Sequence, residues 1–119
     1  MSKSIGFIGG GAMATGIIKG ILSANTLTAE EIYVKELLPE RQVYLKETYG
    51  LQLADSLKEL AEKAKVLVLA VRPQDAEKAA RELSEVITQE HVLVSICAGI
   101  KIEKLSGWIG EKVTYARIM

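Results

Sequence analysis

Residues 5–14 read Ile5-Gly6-Phe7-Ile8-Gly9-Gly10-Gly11-Ala12-Met13-Ala14. The first half is a compact apolar run that stops at three glycines, and the second half opens a helix-forming stretch, which together spell strand, turn and helix start. Within it lies G-x-G-x-x-A at Gly9, Gly11 and Ala14. Each position has a physical role. Gly9 permits the tight turn off the strand, Gly11 lets a backbone approach a pyrophosphate with no Cβ in the way, and Ala14 allows close packing of helix on sheet. The amide groups of Gly10, Gly11, Ala12 and Met13 are then expected to face phosphates at the positive end of the helix, with Ile8 ending the strand beneath them.

Working outward, Ile17, Ile18, Ile21 and Leu22 make one apolar stripe that carries the helix to about residue 24. Thr28 and Glu31 form a T-x-x-E box for a single turn, and residues 32–35 are the next strand. Pro39 opens a helix that Gly50 stops, and residues 51–54 make a short strand. Ser56 and Glu59 box the start of a helix lined by Leu57, Leu60, Ala61 and Ala64. Residues 66–71 are apolar throughout, as a central parallel strand covered on both faces requires. A helix over 74–87, a strand over 92–97, a short helix over 102–109 and a last strand over 113–119 complete the pattern.

Six strands with helical segments between most of them cannot be joined as hairpins, because parallel neighbours need crossover connections. The expected fold is α/β: a doubly wound, mainly parallel sheet of Rossmann-type dinucleotide-binding topology, with residues 1–119 as one domain. In such sheets ligands sit beyond the carboxyl ends of the strands. The loops after Ile8, Lys35, Ala54, Val71 and Cys97 are therefore the places to search.

Composition narrows the function. The chain has 119 residues, 49% of them apolar, and its 15 basic side chains balance 15 acidic ones. Zero net charge argues against a nucleic-acid partner, which calls for clustered basic excess. The longest apolar run, 66–71, is far short of the roughly 20 residues a membrane helix needs, and the first four residues lack the charged and apolar regions of a leader. A cytoplasmic protein with no membrane partner is expected. One cysteine and one histidine rule out a disulfide framework and leave too few soft ligands for zinc.

Three further positions frame the proposed cleft. Glu36 follows the second strand, about the expected 20 residues beyond the glycine motif, where a carboxylate accepts from adenosine ribose hydroxyls and favours NAD. Lys35 and Arg41 are basic neighbours that could pair with a 2′-phosphate, so NAD, NADP and dual use all stay open. Ala70-Val71-Arg72-Pro73-Gln74 ends the most apolar strand, with Pro73 setting the turn and Arg72 placing a permanent cation near the crevice. Ser95-Ile96-Cys97-Ala98-Gly99-Ile100 supplies small residues after a buried strand, leaving room for a flat ring. Cys97 reads as a small hydrophobe rather than a reactive thiol, His91 as a loop residue, and Trp108 as the anchor of the short helix.

These three segments, 5–14, 70–74 and 95–99, resemble in order and spacing the N-terminal half of pyrroline-5-carboxylate reductases, with their I-G-F-I-G-x-G-x-M-A opening, A-V-K-P-Q strand end and S-x-x-A-G segment. Residues 116–119 look like the start of that family's R-x-M-P-N segment. The resemblance implies cofactor contact by Ile8, Gly9, Gly10, Gly11, Ala12 and Met13, by Ala70, Val71, Arg72 and Pro73, and by Ile96, Cys97 and Ala98. It also implies hydride transfer from NADPH or NADH to the C=N carbon of a small cyclic imine, the last step of proline biosynthesis. Arg72 stands where the family usually has lysine, Glu36 where serine or asparagine is frequent, and Leu57 where asparagine is frequent. In that family a C-terminal helical region supplies the imine-binding groups and much of a homo-oligomer interface. No such region lies within these 119 residues, so by themselves they are expected to bind cofactor with little or no turnover. A related β-hydroxyacid-type dehydrogenase and a non-catalytic NAD(P)-binding module are the competing readings.

Overall fold

Every strand pair in the sheet is parallel, so each connection has to cross over one face before the chain can re-enter. The computed structural model describes residues 4–118. It contains β1 (Ile5–Ile8), α1 (Ala12–Ser23), β2 (Ile32–Lys35), α2 (Pro39–Tyr49), β3 (Gln52–Leu53), α3 (Leu57–Lys63), β4 (Val66–Leu69), α4 (Pro73–Leu83), β5 (Val92–Ser95), α5 (Ile102–Ile109) and β6 (Thr114–Arg117). The spatial order is β3-β2-β1-β4-β5-β6. The chain builds outward from β1 to β3, then returns to the other side of β1 to lay down β4. That reversal is the switch point at which such sheets open a crevice.

Side chains on a strand alternate between faces, and the core divides accordingly. Phe7, Ile32, Val34 and Val68 meet Ala14 and Ile18 of α1 and Leu45 of α2. Ile8, Leu67, Leu69 and Leu93 meet Leu60 of α3, Ala76, Ala80 and Leu83 of α4, and Leu105 of α5. Two helices thus cover one face and three the other, so β4 has apolar residues at every position because both its faces are dry. Trp108 packs half-buried against the second cluster, as expected. Among the described residues no helix is long and apolar enough to cross a membrane.

The elements end earlier than their apolar runs do. β4 stops at Leu69 and β5 at Ser95; Ala70 and Ile96 each keep one last ladder bond through their N–H groups, Val71 and Cys97 lie beyond it, and all four border the cleft described below. α4 stops at Leu83, where the Ser84 hydroxyl donates to the Arg81 carbonyl at 2.6 Å and a turn carries the apolar phase on to buried Ile87. β3 is only two residues long. At α3 the Ser56 hydroxyl accepts from Glu59 N–H at 3.1 Å, while the Glu59 carboxylate reaches back to Asp55 N–H at 2.7 Å, one residue beyond the box position. Residue 119, the end of the expected last strand, lies outside the described residues.

Leu67 is fully buried in the central strand. Leu67→Ala should lower unfolding stability by about 2–5 kcal/mol, read from the urea midpoint. A loss below about 1 kcal/mol would contradict a strand packed on both faces.

Candidate cofactor-binding site

Register brings the site together. Ile8 pairs with Lys35 on one side and Leu69 on the other, and Leu69 with Ser95, so β1, β2, β4 and β5 all end in one row. The ladder runs one step further: Gly9 N–H donates to Lys35 O at 2.9 Å, Ala70 N–H to Ile8 O at 2.9 Å, and Ile96 N–H to Leu69 O at 3.1 Å. Gly9, Glu36, Ala70 and Ile96 therefore emerge side by side at the carboxyl edge.

The three glycines answer to different constraints. Gly9 has φ +100°, and a Cβ there would lie 2.9 Å from the Ala70 carbonyl oxygen. At Gly10 a Cβ would lie 2.6 Å from Leu45 Cδ1 and 3.0 Å from Glu36 Oε1. Gly11 is exposed, has an ordinary φ of −75°, and no atom comes within 4 Å of where its Cβ would be. The protein's own packing needs glycine at 9 and 10, but not at 11. Bare backbone at Gly11 leaves room for something outside the chain.

Gly11 is also the N-cap of α1, with no side-chain cap and no acidic residue in the first turn. The first N–H groups of a helix have no intrahelical acceptor, and the helix dipole makes that end positive. Beside it opens a cleft of about 300 Å³ lined by Gly11, Ala12 and Met13, by Ala70, Val71, Arg72 and Pro73, and by Ile96, Cys97 and Ala98. It draws on the ends of β1, β4 and β5 at the switch point, and most of its walls are small or apolar.

Residues 4–99 match the family described as "NADP oxidoreductase coenzyme F420-dependent". The chain belongs to that family. Pyrroline-5-carboxylate reductase 2 of Bacillus subtilis is 32% identical over 118 residues, which are 98% of this chain and 42% of that enzyme. A solved pyrroline-5-carboxylate reductase from Coxiella burnetii covers 100% of this chain and 44% of its own length, with a TM-score of 0.91 at 28% identity. The Plasmodium falciparum enzyme with NADP bound covers 94% of this chain and 40% of its own, with a TM-score of 0.79 at 26% identity. The chain thus spans less than half the length of the reductases it matches, and it matches their N-terminal part.

In this member of the family the glycine loop is clasped from the β2 side. Gly10 N–H donates to Glu36 Oε1 at 2.7 Å, and Leu38 N–H to Glu36 Oε2 at 3.0 Å. The Arg41 guanidinium donates to Gly10 O at 2.6 Å and 3.2 Å and to Thr15 Oγ1 at 2.9 Å, and the Thr15 hydroxyl donates to Gly11 O at 2.8 Å. Two expectations change. The Gly10 amide points at a carboxylate rather than toward the cleft, whose lining on this side is Gly11, Ala12 and Met13. Arg41 braces the loop instead of standing free. Thr15 was not legible as a loop-bracing residue, and its only sequence signal is its position four residues after Gly11.

Other singled-out residues fall as follows. Ile8 and Gly10 are buried, and neither they nor Gly9 are among the residues lining the cleft. Lys35 shares its strand face with Tyr33, which packs on the α3–α5 core, so it points away from the Glu36 side. Arg72 is exposed and paired to Asp75 at 3.0 Å, which ties its charge to the first turn of α4. Cys97 is buried, with its thiol donating to Val71 O at 3.3 Å, and burial pushes its pKa up. His91 sits in the turn before β5 as expected, but it is buried rather than a free loop side chain. Its Nε2 is 2.7 Å from Ala61 O and its Nδ1 accepts from Thr88 N–H at 2.9 Å, so it latches that turn to α3 at the opposite end of the strands.

Gly10→Ala should cost about 1–3 kcal/mol in urea unfolding, whereas Gly11→Ala should stay within about 0.5 kcal/mol of the parent. Equal losses at both would refute the separation of roles. Because the folded Cys97 thiol ionises above its ordinary value, the stabilisation tied to the protonated thiol persists below the unfolded pKa and is lost as pH rises through the folded one. Iodoacetamide should accordingly label Cys97 at pH 8 more slowly in the folded chain than in urea.

Proposed function

We propose that residues 1–119 are the dinucleotide-binding domain of an NAD(P)H-dependent reductase that converts 1-pyrroline-5-carboxylate to L-proline. One observation carries the reading: the cleft at the switch point is bordered by the three segments that resemble this family, and it opens on a glycine the fold itself does not need. In this reading Gly11, Ala12 and Met13 hold the diphosphate through their N–H groups. Ala70, Val71, Arg72 and Pro73 form one wall, and Ile96, Cys97 and Ala98 another, where small side chains exclude water without blocking a flat ring. Glu36 stands at the adenosine end, and Lys35 leaves that end by its strand face.

The bound nicotinamide supplies the hydride, and the chain supplies distance and orientation. A proton and a counter-charge for the imine carboxylate have to come from other groups. Within the cleft the Arg72 cation is already paired with Asp75, and the Cys97 thiol already donates to Val71 O. Catalysis in this reading needs residues beyond those lining the cleft, in keeping with the longer relatives and with the homo-oligomer that the family resemblance implies. A cytoplasmic setting accords with a lone cysteine kept as a buried thiol.

Titrating the 119-residue chain with NADH and NADPH should give saturable binding of at least one. Gly11→Val should weaken it about tenfold or more with an unchanged circular dichroism spectrum, and absence of binding by either cofactor overturns the proposal. With pyrroline-5-carboxylate and reduced cofactor, these residues alone should show little or no turnover.

A further inference from the structure

Resting on the dinucleotide reading above, we infer that this site takes NAD(H) and rejects NADP(H), with Glu36 as the discriminating residue. The family's description names NADP, so the inference comes from this chain's own geometry. Glu36 lies one residue beyond β2, level with Gly9, at the edge where the adenosine ribose of a dinucleotide meets a βαβ unit. Its two oxygens each receive one backbone N–H, from Gly10 at 2.7 Å and Leu38 at 3.0 Å. The carboxylate is thereby fixed in place with lone pairs to spare. An ionised carboxylate only accepts, and a ribose diol offers two O–H donors, whereas a 2′-phosphate offers charge of the same sign and no donor at neutral pH.

Among the described residues the cation held beside Glu36 is Arg41, which shares Gly10 with it and is tied to the loop rather than to the carboxylate. Arg41 holds Gly10 O through Nε and Nη2 and Thr15 Oγ1 through Nη2, and lies 4.8 Å from the centre of the Tyr44 ring. Turning it toward a 2′-phosphate would break the hydrogen bonds that brace the loop on which the diphosphate depends. Lys35 projects from the opposite face of the sheet. The next two side chains, Leu37 and Leu38, are exposed and apolar. Leu37, 78% exposed, adds a neutral surface where an arginine would be needed.

The test is direct titration of the chain with NADH and NADPH, together with competition by adenosine 5′-monophosphate and adenosine 2′,5′-bisphosphate, which isolates the ribose end. NADH should bind about thirtyfold or more tightly than NADPH, and the monophosphate should compete better than the bisphosphate. Glu36→Gln keeps an acceptor for the loop amide while removing the charge, and combined with Leu37→Arg it should shift the ratio toward NADPH by about tenfold or more. Leu37→Arg alone, at a side chain open to solvent, should shift it in the same direction by a smaller factor and keeps the test open if the double variant does not fold. NADPH binding as tight as NADH in the parent chain, or an unmoved ratio in folded variants, overturns the assignment of Glu36 and leaves dinucleotide binding standing. Failure of both cofactors to bind overturns the dinucleotide reading and this inference together.

Discussion

The turn from β1 into α1 has to thread a gap too narrow for any side chain. On one side stands the Ala70 carbonyl, 2.9 Å from where a Gly9 Cβ would be, and on the other stand Leu45 and Glu36, equally close to Gly10. The ladder fixes the spacing of β1, β2 and β4 at their carboxyl ends, and the loop has to pass through what that spacing leaves. Helix α1 can start only where the turn releases the chain, at Gly11. Its first residues therefore border the cleft, on a loop that Glu36 and Arg41 hold in place.

Charge is handled locally within a neutral chain. Glu36 and Arg41 grip the loop through its N–H and C=O groups respectively, which places one charge of each sign at Gly10. Arg72 is tied to Asp75 on an exposed helix start, a pairing worth little to stability but enough to orient the side chain. The cleft between these groups is lined chiefly by small apolar residues and a protonated thiol. A site of that kind can hold and orient a cofactor, and it has little to offer a substrate's own charges.

Much of the fold follows from local rules. The parallel sheet, the alternation of helices and the six strand positions all rest on apolar periodicity and turn residues, and the glycine motif with its downstream Glu36 names the crevice. Strand ends were less legible, because apolar residues at 70–71 and 96–97 look the same whether they pair in a ladder or border a cleft. The polar turn around His91 predicts a loop side chain, since such turns normally face water. Only the approach of α3, which offers the Ala61 carbonyl, makes burial tolerable there.

Chain-local physics was enough for element type, connectivity class and the motif, because helix, strand and turn preferences act over a few residues. Long-range packing alone settled where side chains of either sign point. Glu36 and Gly10 are 26 residues apart, and Arg41 and Gly10 are 31 apart. No periodicity carries information over such separations. The roles of Glu36 as a fixed acceptor and of Arg41 as a brace exist only once α2 has docked beside β1 and the backbone of the loop has presented its amides to them.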